Sequence, residues 1–510
     1  MTNAMRAINS ICGVLVLGAS ALGLPCASTL VDPLPDIPQS AITVTLQSIT
    51  SALESPPQTP TDIVAAPDGS GRLFVATIQG IVLVLYPDGT ISELVDTTNP
   101  NTLIDPARYG MISVEVHPGF NDPMSPGFGK VYTLTTEAGG SGVADFGGFG
   151  FPHQDVIHEW MIDGSDPNVV DPLTKREILR IGQKNGDHNV SDMVFLDDQT
   201  MLIALGDGRN TPAGQPETGD GAQDITTIFG SVIRIDPVGL IGTPSANGEY
   251  SIPTDNPFYS VPGAVREIYA YGFRSPYRMN RDLVSGQIFI GDVGQLTIEE
   301  LTILQPGGNH GWNVHEGSFL FDRDTYGVCI DPMPIPGLVE PIAEYDHDDG
   351  RSIVAGHTYR GAALPTLTGL HVFADFLGGP TSQFRGRLMI TNPQAGGAYA
   401  LPVSNLGDEL PFFIYSVSVD EDGELLIAGN TVDGKGTILR VIAATSCLGD
   451  VTGAGGMPDG VVDVDDLNAI LSAWGTMVPS GSRLDLANDD GVIDVDDLNV
   501  VLSNWAVTCP

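Results

Sequence analysis

The stretch Gly71-Arg72-Leu73-Phe74-Val75-Ala76-Thr77, followed by Gly80-Ile81-Val82-Leu83-Val84-Leu85, decides the fold class. Short runs of aliphatic and β-branched residues, entered and left through glycine, are strands: they are too short for helices and are bounded by turn formers. The phrase returns at Gly286-Gln287-Ile288-Phe289-Ile290-Gly291 and at Gly423-Glu424-Leu425-Leu426-Ile427-Ala428. Asp68-Gly69, Asp198-Gln199 and Asp422-Gly423 each stand just before such a strand, which marks one supersecondary unit used repeatedly. Helical periodicity is scarce from Ile42 to Val441, a span too long for a single sandwich. Radial repetition accommodates the length and shields the strand edges. The expected architecture is therefore all-β, a β-propeller whose central mouth gathers loops from different blades.

Composition agrees with this reading. The chain has 510 residues, 42% of them hydrophobic, with 62 Gly and 38 Pro, which excludes a wholly disordered polymer and demands many turns. Lysine and arginine total 22 against 63 aspartates and glutamates, a formal net charge of -41. Such a surface repels phosphate backbones and anionic lipid, so nucleic acid is excluded as a partner. Hard cations with oxygen ligands, calcium first among them, are the expected counterions.

Met1 to Asn9, with Arg6, lead into an apolar run from Ile11 to Leu24 that is short for a membrane span. With the small residues Ala27 and Ser28 after it, this is the geometry of a signal peptide over 1–28, and it predicts a secreted protein. A lipid anchor on Cys26 is disfavoured by Leu24-Pro25. Removing 1–28 takes away Cys12 and Cys26; Cys447 and Cys509 then bracket the last segment as a natural staple, and Cys329 is left over. No later stretch is apolar enough to span a bilayer.

Near Ala443 the texture changes. The run Asp459-Gly460-Val461-Val462-Asp463-Val464-Asp465-Asp466-Leu467-Asn468 returns 31 residues later as Asp490-Gly491-Val492-Ile493-Asp494-Val495-Asp496-Asp497-Leu498-Asn499. Leu467, Ile470, Leu471 and Trp474, and likewise Leu498, Val501, Leu502 and Trp505, fall on one face of a short helix after each copy. In an EF-hand-type loop, oxygen ligands occupy positions 1, 3, 5, 7, 9 and 12 around a glycine at 6. Gly491 at position 6 makes Asn488, Asp490, Val492, Asp494 and Asp497 ligands, with Asp485 at position 1 if the loop carries one extra residue. Gly460 at position 6 selects Asp459, Val461, Asp463 and Asp466, with Asp450 and Thr452 displaced by an insertion. The segment 445–510 resembles the cysteine-flanked dockerin type I family. That resemblance implies two calcium ions, a small α-helical EF-hand-like domain, and docking to a cohesin-like or cell-surface partner.

The span 29–444 carries a second resemblance. Met111-Ile112-Ser113-Val114-Glu115-Val116-His117-Pro118, Asp187-His188-Asn189-Val190-Ser191-Asp192, Leu205-Gly206-Asp207-Gly208 and Arg234-Ile235-Asp236-Pro237 follow in order. Then come Tyr271-Gly272-Phe273-Arg274-Ser275-Pro276-Tyr277-Arg278, Gly291-Asp292-Val293-Gly294-Gln295, Gly308-Asn309-His310-Gly311-Trp312 and Tyr359-Arg360-Gly361. The series resembles the glucose/sorbosone dehydrogenase family of soluble quinoproteins.

The resemblance implies a six-bladed propeller that oxidises a sugar hydroxyl with pyrroloquinoline quinone and calcium, passing electrons to an external acceptor. It also implies roles: His188 as general base, which must be neutral to act, and Arg274 polarising the quinone. Arg360, Arg385 and Arg387 would meet the cofactor's carboxylates. Val190-Ser191 stand where the family carries Gly-Gly, and His310 and His315 are further histidines near the same motifs. The competing expectation is a non-catalytic extracellular binding propeller, because animal relatives of the fold are binding proteins. A propeller hydrolase lacks its motifs, since Gly-x-Ser-x-Gly and HExxH are absent.

Overall fold

The computed structural model describes residues 26, 28–54, 58–104, 109–147, 152–209, 221–331, 335–376, 378, 385–407, 409–444, 449–452, 461–478, 482, 484–486, 491–503 and 505. The chain is nearly all β. Six four-stranded antiparallel sheets follow one another, each beginning with an inner strand. These inner strands are Pro60–Ala65, Met111–Val116, Val190–Phe195, Pro276–Arg281, Ile353–Thr358 and Phe412–Val419. Each neighbours the next, and the sixth neighbours the first, so the sheets close into a ring. The last sheet is completed from the other end of the chain: Val44–Thr50 pairs antiparallel with Gly436–Ala443, which locks the ring.

Burial explains why the strands read as continuous apolar runs rather than alternating ones. A sheet in a ring is covered on both faces, so both residue parities must be hydrophobic. In the third sheet Met201, Ile203 and Leu205 pack toward the second, against Leu134 and Ile157, while Leu202 and Ala204 pack toward the fourth, against Met279 and Ile290. Comparable buried clusters lie between every other neighbouring pair of sheets around the ring.

The axis is filled at one level by Arg278, only 1% exposed. Its guanidinium reaches the carbonyls of Thr61, Ile112 and Tyr415 and the carboxylates of Asp192 and Asp62, groups belonging to four other sheets. Nothing in the spacing of the run Tyr271-Gly272-Phe273-Arg274-Ser275-Pro276-Tyr277-Arg278 marks Arg278 as an axial residue.

The cysteine expectation is overturned. Cys329 is not left over, because it forms a disulfide with Cys26. This clips the amino-terminal arm to the strand Gly327–Cys329, where Leu30 N–H also donates to the Val328 carbonyl (2.8 Å). The arm then crosses the rim, with Leu34 N–H on Asp346 and Ile37 N–H on Asp349, before entering the closing strand. Processing after residue 28 would discard Cys26 and with it this link. Amino-terminal sequencing of secreted protein is expected to find Cys26 retained. Cys26→Ser is expected to cost about 2–4 kcal/mol in urea unfolding; an unchanged midpoint, or a mature terminus beyond Cys26, would refute the tether. Cys447 and Cys509 lie outside the described residues.

In the tail, the helices expected after each acidic repeat are present as Val464–Ala473 and Val495–Ser503, packed around Val451, Val462, Ile470, Ile493 and Val501. The first begins in a capping box between Asp463 and Asp466.

Candidate active site

Because successive strands of a sheet are antiparallel, the entry to each inner strand and the link between second and third strands lie at the same end of the ring. His188 occupies the first position in the third sheet and Asp207 the second. Arg274 and Asp292 are their counterparts in the fourth sheet. The local backbone has few alternatives. His188 sits at φ 60, and a Cβ on Gly206 would come within 2.5 Å of the His188 carbonyl oxygen, so only glycine lets the two segments touch.

His188 Nδ1–H donates to Asp207 Oδ1 (2.7 Å). The same carboxylate accepts Arg209 N–H on Oδ1 (2.9 Å) and Trp312 Nε1–H on Oδ2 (2.9 Å). Burial opposes charge on Asp207, yet His188, Arg274 and these hydrogen bonds hold it below the ordinary carboxylate range. A proton fixed on Nδ1 leaves Nε2 as the basic nitrogen of the neutral ring. The side chains of His188 and Asp207 are 6% and 5% exposed, so the pair is sheltered from water. The Asp187 carboxylate pairs with Arg209 (2.8 Å).

Arg274 is held at the rim by Val293 carbonyl (2.8 Å) and Gln295 Oε1 (3.1 Å), with its guanidinium 5.6 Å over the Trp312 ring. Its backbone carbonyl accepts Asp207 N–H, which joins the two halves of the site directly. Asp292 braces the arrangement by accepting the N–H groups of Arg274 and Ser275, and burial pushes its carboxyl up to about 7.

The other expected residues divide. Arg385 and Arg387 lie at this end, entering the third strand of the fifth sheet. Arg385 is exposed, with Glu409 beside it, whereas Arg387 is buried against Asp349 (2.8 Å). Arg360 is a correction: it follows the inner strand Ile353–Thr358 and pairs with Asp282 (2.6 Å), in the turn after the neighbouring inner strand. Six strand residues at ~3.3 Å each put it about 20 Å from the His188 end. Val190 does not stand in the mouth: it is buried between the second and third sheets, its N–H on Asp155. His310 is stacked on Phe273, and burial drives it down to about 3; His315 pairs with Asp331, both in the connection between the strands Ile298–Ile303 and Ala343–Asp346.

Two cations were missed. Lys184 lies over the Phe229 ring (4.3 Å), where burial lowers its pKa against the pull of Asp207, and Arg209 donates its backbone N–H to Asp207 while its guanidinium pairs with Asp187. In a chain with only 22 basic residues, cations just before Asp187-His188 and just after Gly206-Asp207 were the available signal.

In the tail, Asp466 accepts the N–H groups of Val451, Thr452 and Asp463, and Asp497 accepts those of Leu486 and Asp494. Gly491 N–H donates to Asp485 (2.7 Å), which places Asp485 six residues before the loop glycine and across the loop from it. Asp450 and Val461 flank the first loop and Val492 and Asp494 the second. Asp459, Asn488 and Asp490 lie outside the described residues.

The geometry defines a class: a ring of β-sheets with a histidine–carboxylate pair beside an arginine at one mouth. Residues 57–440 match the model of the family described as Glucose / Sorbosone dehydrogenase, and the chain belongs to that family. It is 28% identical over 399 residues to the HIPL1 protein of Arabidopsis thaliana, covering 70% of this chain and 55% of that protein. It is 27% identical over 337 residues to the Hedgehog-interacting protein of Homo sapiens, covering 65% of this chain and 42% of that protein. The chain thus spans about half the length of these curated relatives. In structure it resembles the PQQ-bound aldose sugar dehydrogenase of Streptomyces coelicolor, with TM-score 0.54, 18% identity, and 79% of this chain and 99% of that one covered. That likeness shows the sugar dehydrogenase propeller fold. Among the described residues no helix is long and apolar enough to cross a membrane.

Proposed function

We propose that the protein is a secreted quinoprotein that oxidises an aldose hydroxyl, its six sheets serving as the six blades of a propeller. The observation that carries this is the His188–Asp207 pair set beside Arg274. Pyrroloquinoline quinone, when bound with calcium, supplies a two-electron acceptor that an external acceptor then reoxidises. The residues fit such a group in kind: a base, a cation where oxygen charge develops, and further cations for a tricarboxylate rim. His188 Nε2 takes the hydroxyl proton, Asp207 steadies the imidazolium that results, and Arg274 offsets developing negative charge. Lys184 and Arg209 take the carboxylate role that Arg360 cannot fill, with Arg385 at the outer edge.

The test is calorimetric titration of pyrroloquinoline quinone into the calcium-loaded protein, followed by dye reduction with a panel of aldoses. Micromolar or tighter binding with sugar-dependent turnover supports the reading. A folded protein that binds no cofactor overturns it in favour of a second reading, a non-catalytic extracellular binding propeller, which the relatives named for Hedgehog interaction favour.

The tail is read as a dockerin-like calcium domain that anchors or docks the enzyme. Its repeats leave Leu471, Trp474, Leu502 and Trp505 about half exposed, a duplicated apolar edge fit for a cohesin-like partner. After chelator treatment, calcium titrated into the full chain is expected to fill two tail sites, and Asp485→Ala to remove one. A titration that Asp485→Ala leaves unchanged would refute that ligand.

A further inference from the structure

We propose that Trp312 is the positioning residue of this site, one indole that orients both the carboxylate behind the base and the cation beside it. The inference rests on the sugar-oxidation reading and adds a residue to it.

Three observations lead there. Asp207 has two oxygens: Oδ1 is engaged by His188 and Arg209, and Oδ2 receives Trp312 Nε1–H (2.9 Å). A carboxylate held on both oxygens cannot turn about its side-chain bonds, so the imidazole it supports is held in one plane as well. The face of the same indole lies 5.6 Å from the Arg274 guanidinium carbon, which fixes the cation's plane while Val293 and Gln295 fix its direction. Trp312 is only 3% exposed, so it is no platform for a sugar; it acts from behind the reacting groups.

The indole is itself anchored. Trp312 N–H donates to the Gly272 carbonyl (2.9 Å), its carbonyl accepts Gln223 Nε2–H (2.5 Å), and Phe321 packs against its ring (4.8 Å between centroids). It reaches the site from the long connection between the third and fourth strands of the fourth sheet, the connection that also carries Cys329.

The test separates positioning from structural support. Trp312→Phe keeps a ring and deletes the N–H donor. With one hydrogen bond fewer, Asp207 bears more charge toward His188, so the imidazolium is favoured and the acid limb of the kcat profile moves to higher pH. The charged groups set against Asp207 besides His188 are Lys184, Arg209, Arg274 and Asp292, and the substitution changes the identity of none of them. The expected result is a fall in kcat of about 10–100-fold with KM and cofactor affinity within about threefold. In cofactor-free protein, the His188 imidazole followed by NMR is expected to titrate at higher pH than in the wild type. Replacing Trp312 alone by benzothienylalanine, which keeps the bicyclic shape without the N–H, is expected to do the same and covers the case in which the phenylalanine variant does not fold.

An unmoved His188 titration and pH profile, with only a lower melting temperature, would overturn the proposal. If the wild type oxidises no sugar, the sugar-oxidation reading falls and the His188 titration alone decides Trp312.

Discussion

His188→Gln is expected to lower kcat for sugar oxidation by about 10²–10⁴-fold while changing cofactor affinity by no more than about threefold. Glutamine can still hydrogen-bond to Asp207, so the mouth keeps its packing, but it cannot accept the hydroxyl proton. On the proposed reading the affinity should hold, because the cofactor's charge would be met by Arg274, Lys184 and Arg209 rather than by His188. Single-turnover reduction measured with saturating sugar checks the claim. Undiminished turnover would remove His188 from the mechanism and return attention to the binding-propeller reading.

The second large effect is on stability. Arg278→Met is expected to destabilise the chain by about 3–5 kcal/mol, because truncating one member of a buried ionic cluster leaves the other charges unpaired. Asp192 and Asp62 stand within 3.4 and 3.7 Å of the guanidinium, and the carbonyls of Thr61, Ile112 and Tyr415 lose their donor as well. The pH dependence has a definite sign. Burial pushes Asp192 up to about 6 even with Arg278 present, so its native pKa lies above the unfolded value near ~3.9. A group raised in this way favours folding at low pH and opposes it as pH rises through the native pKa. Without the guanidinium the native pKa climbs further. The deficit of Arg278→Met should therefore be smallest near pH 5 and grow toward pH 8. Urea unfolding at the two values tests this; equal deficits at both would refute the account of Asp192.

The readable and unreadable parts of this protein differ in kind. Short aliphatic runs between glycine turns gave the strands, and the quasi-repeat gave their radial arrangement, because local propensity and burial on both faces act within a few residues of the chain. The acidic repeat likewise marked the two tail helices, and Asp187-His188 marked the loop on which the histidine of the pair lies. Asp207 stands in the sequence only as part of the Leu205-Gly206-Asp207-Gly208 run, although its carboxylate accepts the His188 N–H across 19 residues. The Gly311-Trp312 pair carries no local sign of its partner, since the contact of Trp312 with Asp207 spans 105 residues. Arg278 was passed over for the same reason: its partners come from four other sheets.

Arg360 shows the limit most clearly. Motif order placed it among the cofactor cations, but order along the chain does not state at which end of a six-residue strand a side chain falls. Cys26 shows a second limit, since a boundary drawn from local signal-peptide features removed a residue that tertiary contact joins to Cys329 across 303 positions. What sequence alone determined was the all-β class, the repeat, the acidic tail and the histidine loop, all set by interactions between near neighbours. Which carboxylate, which cations and which indole surround that histidine was decided only when the ring closed, because closure brings separate strand ends to one mouth and sends the others about 20 Å away.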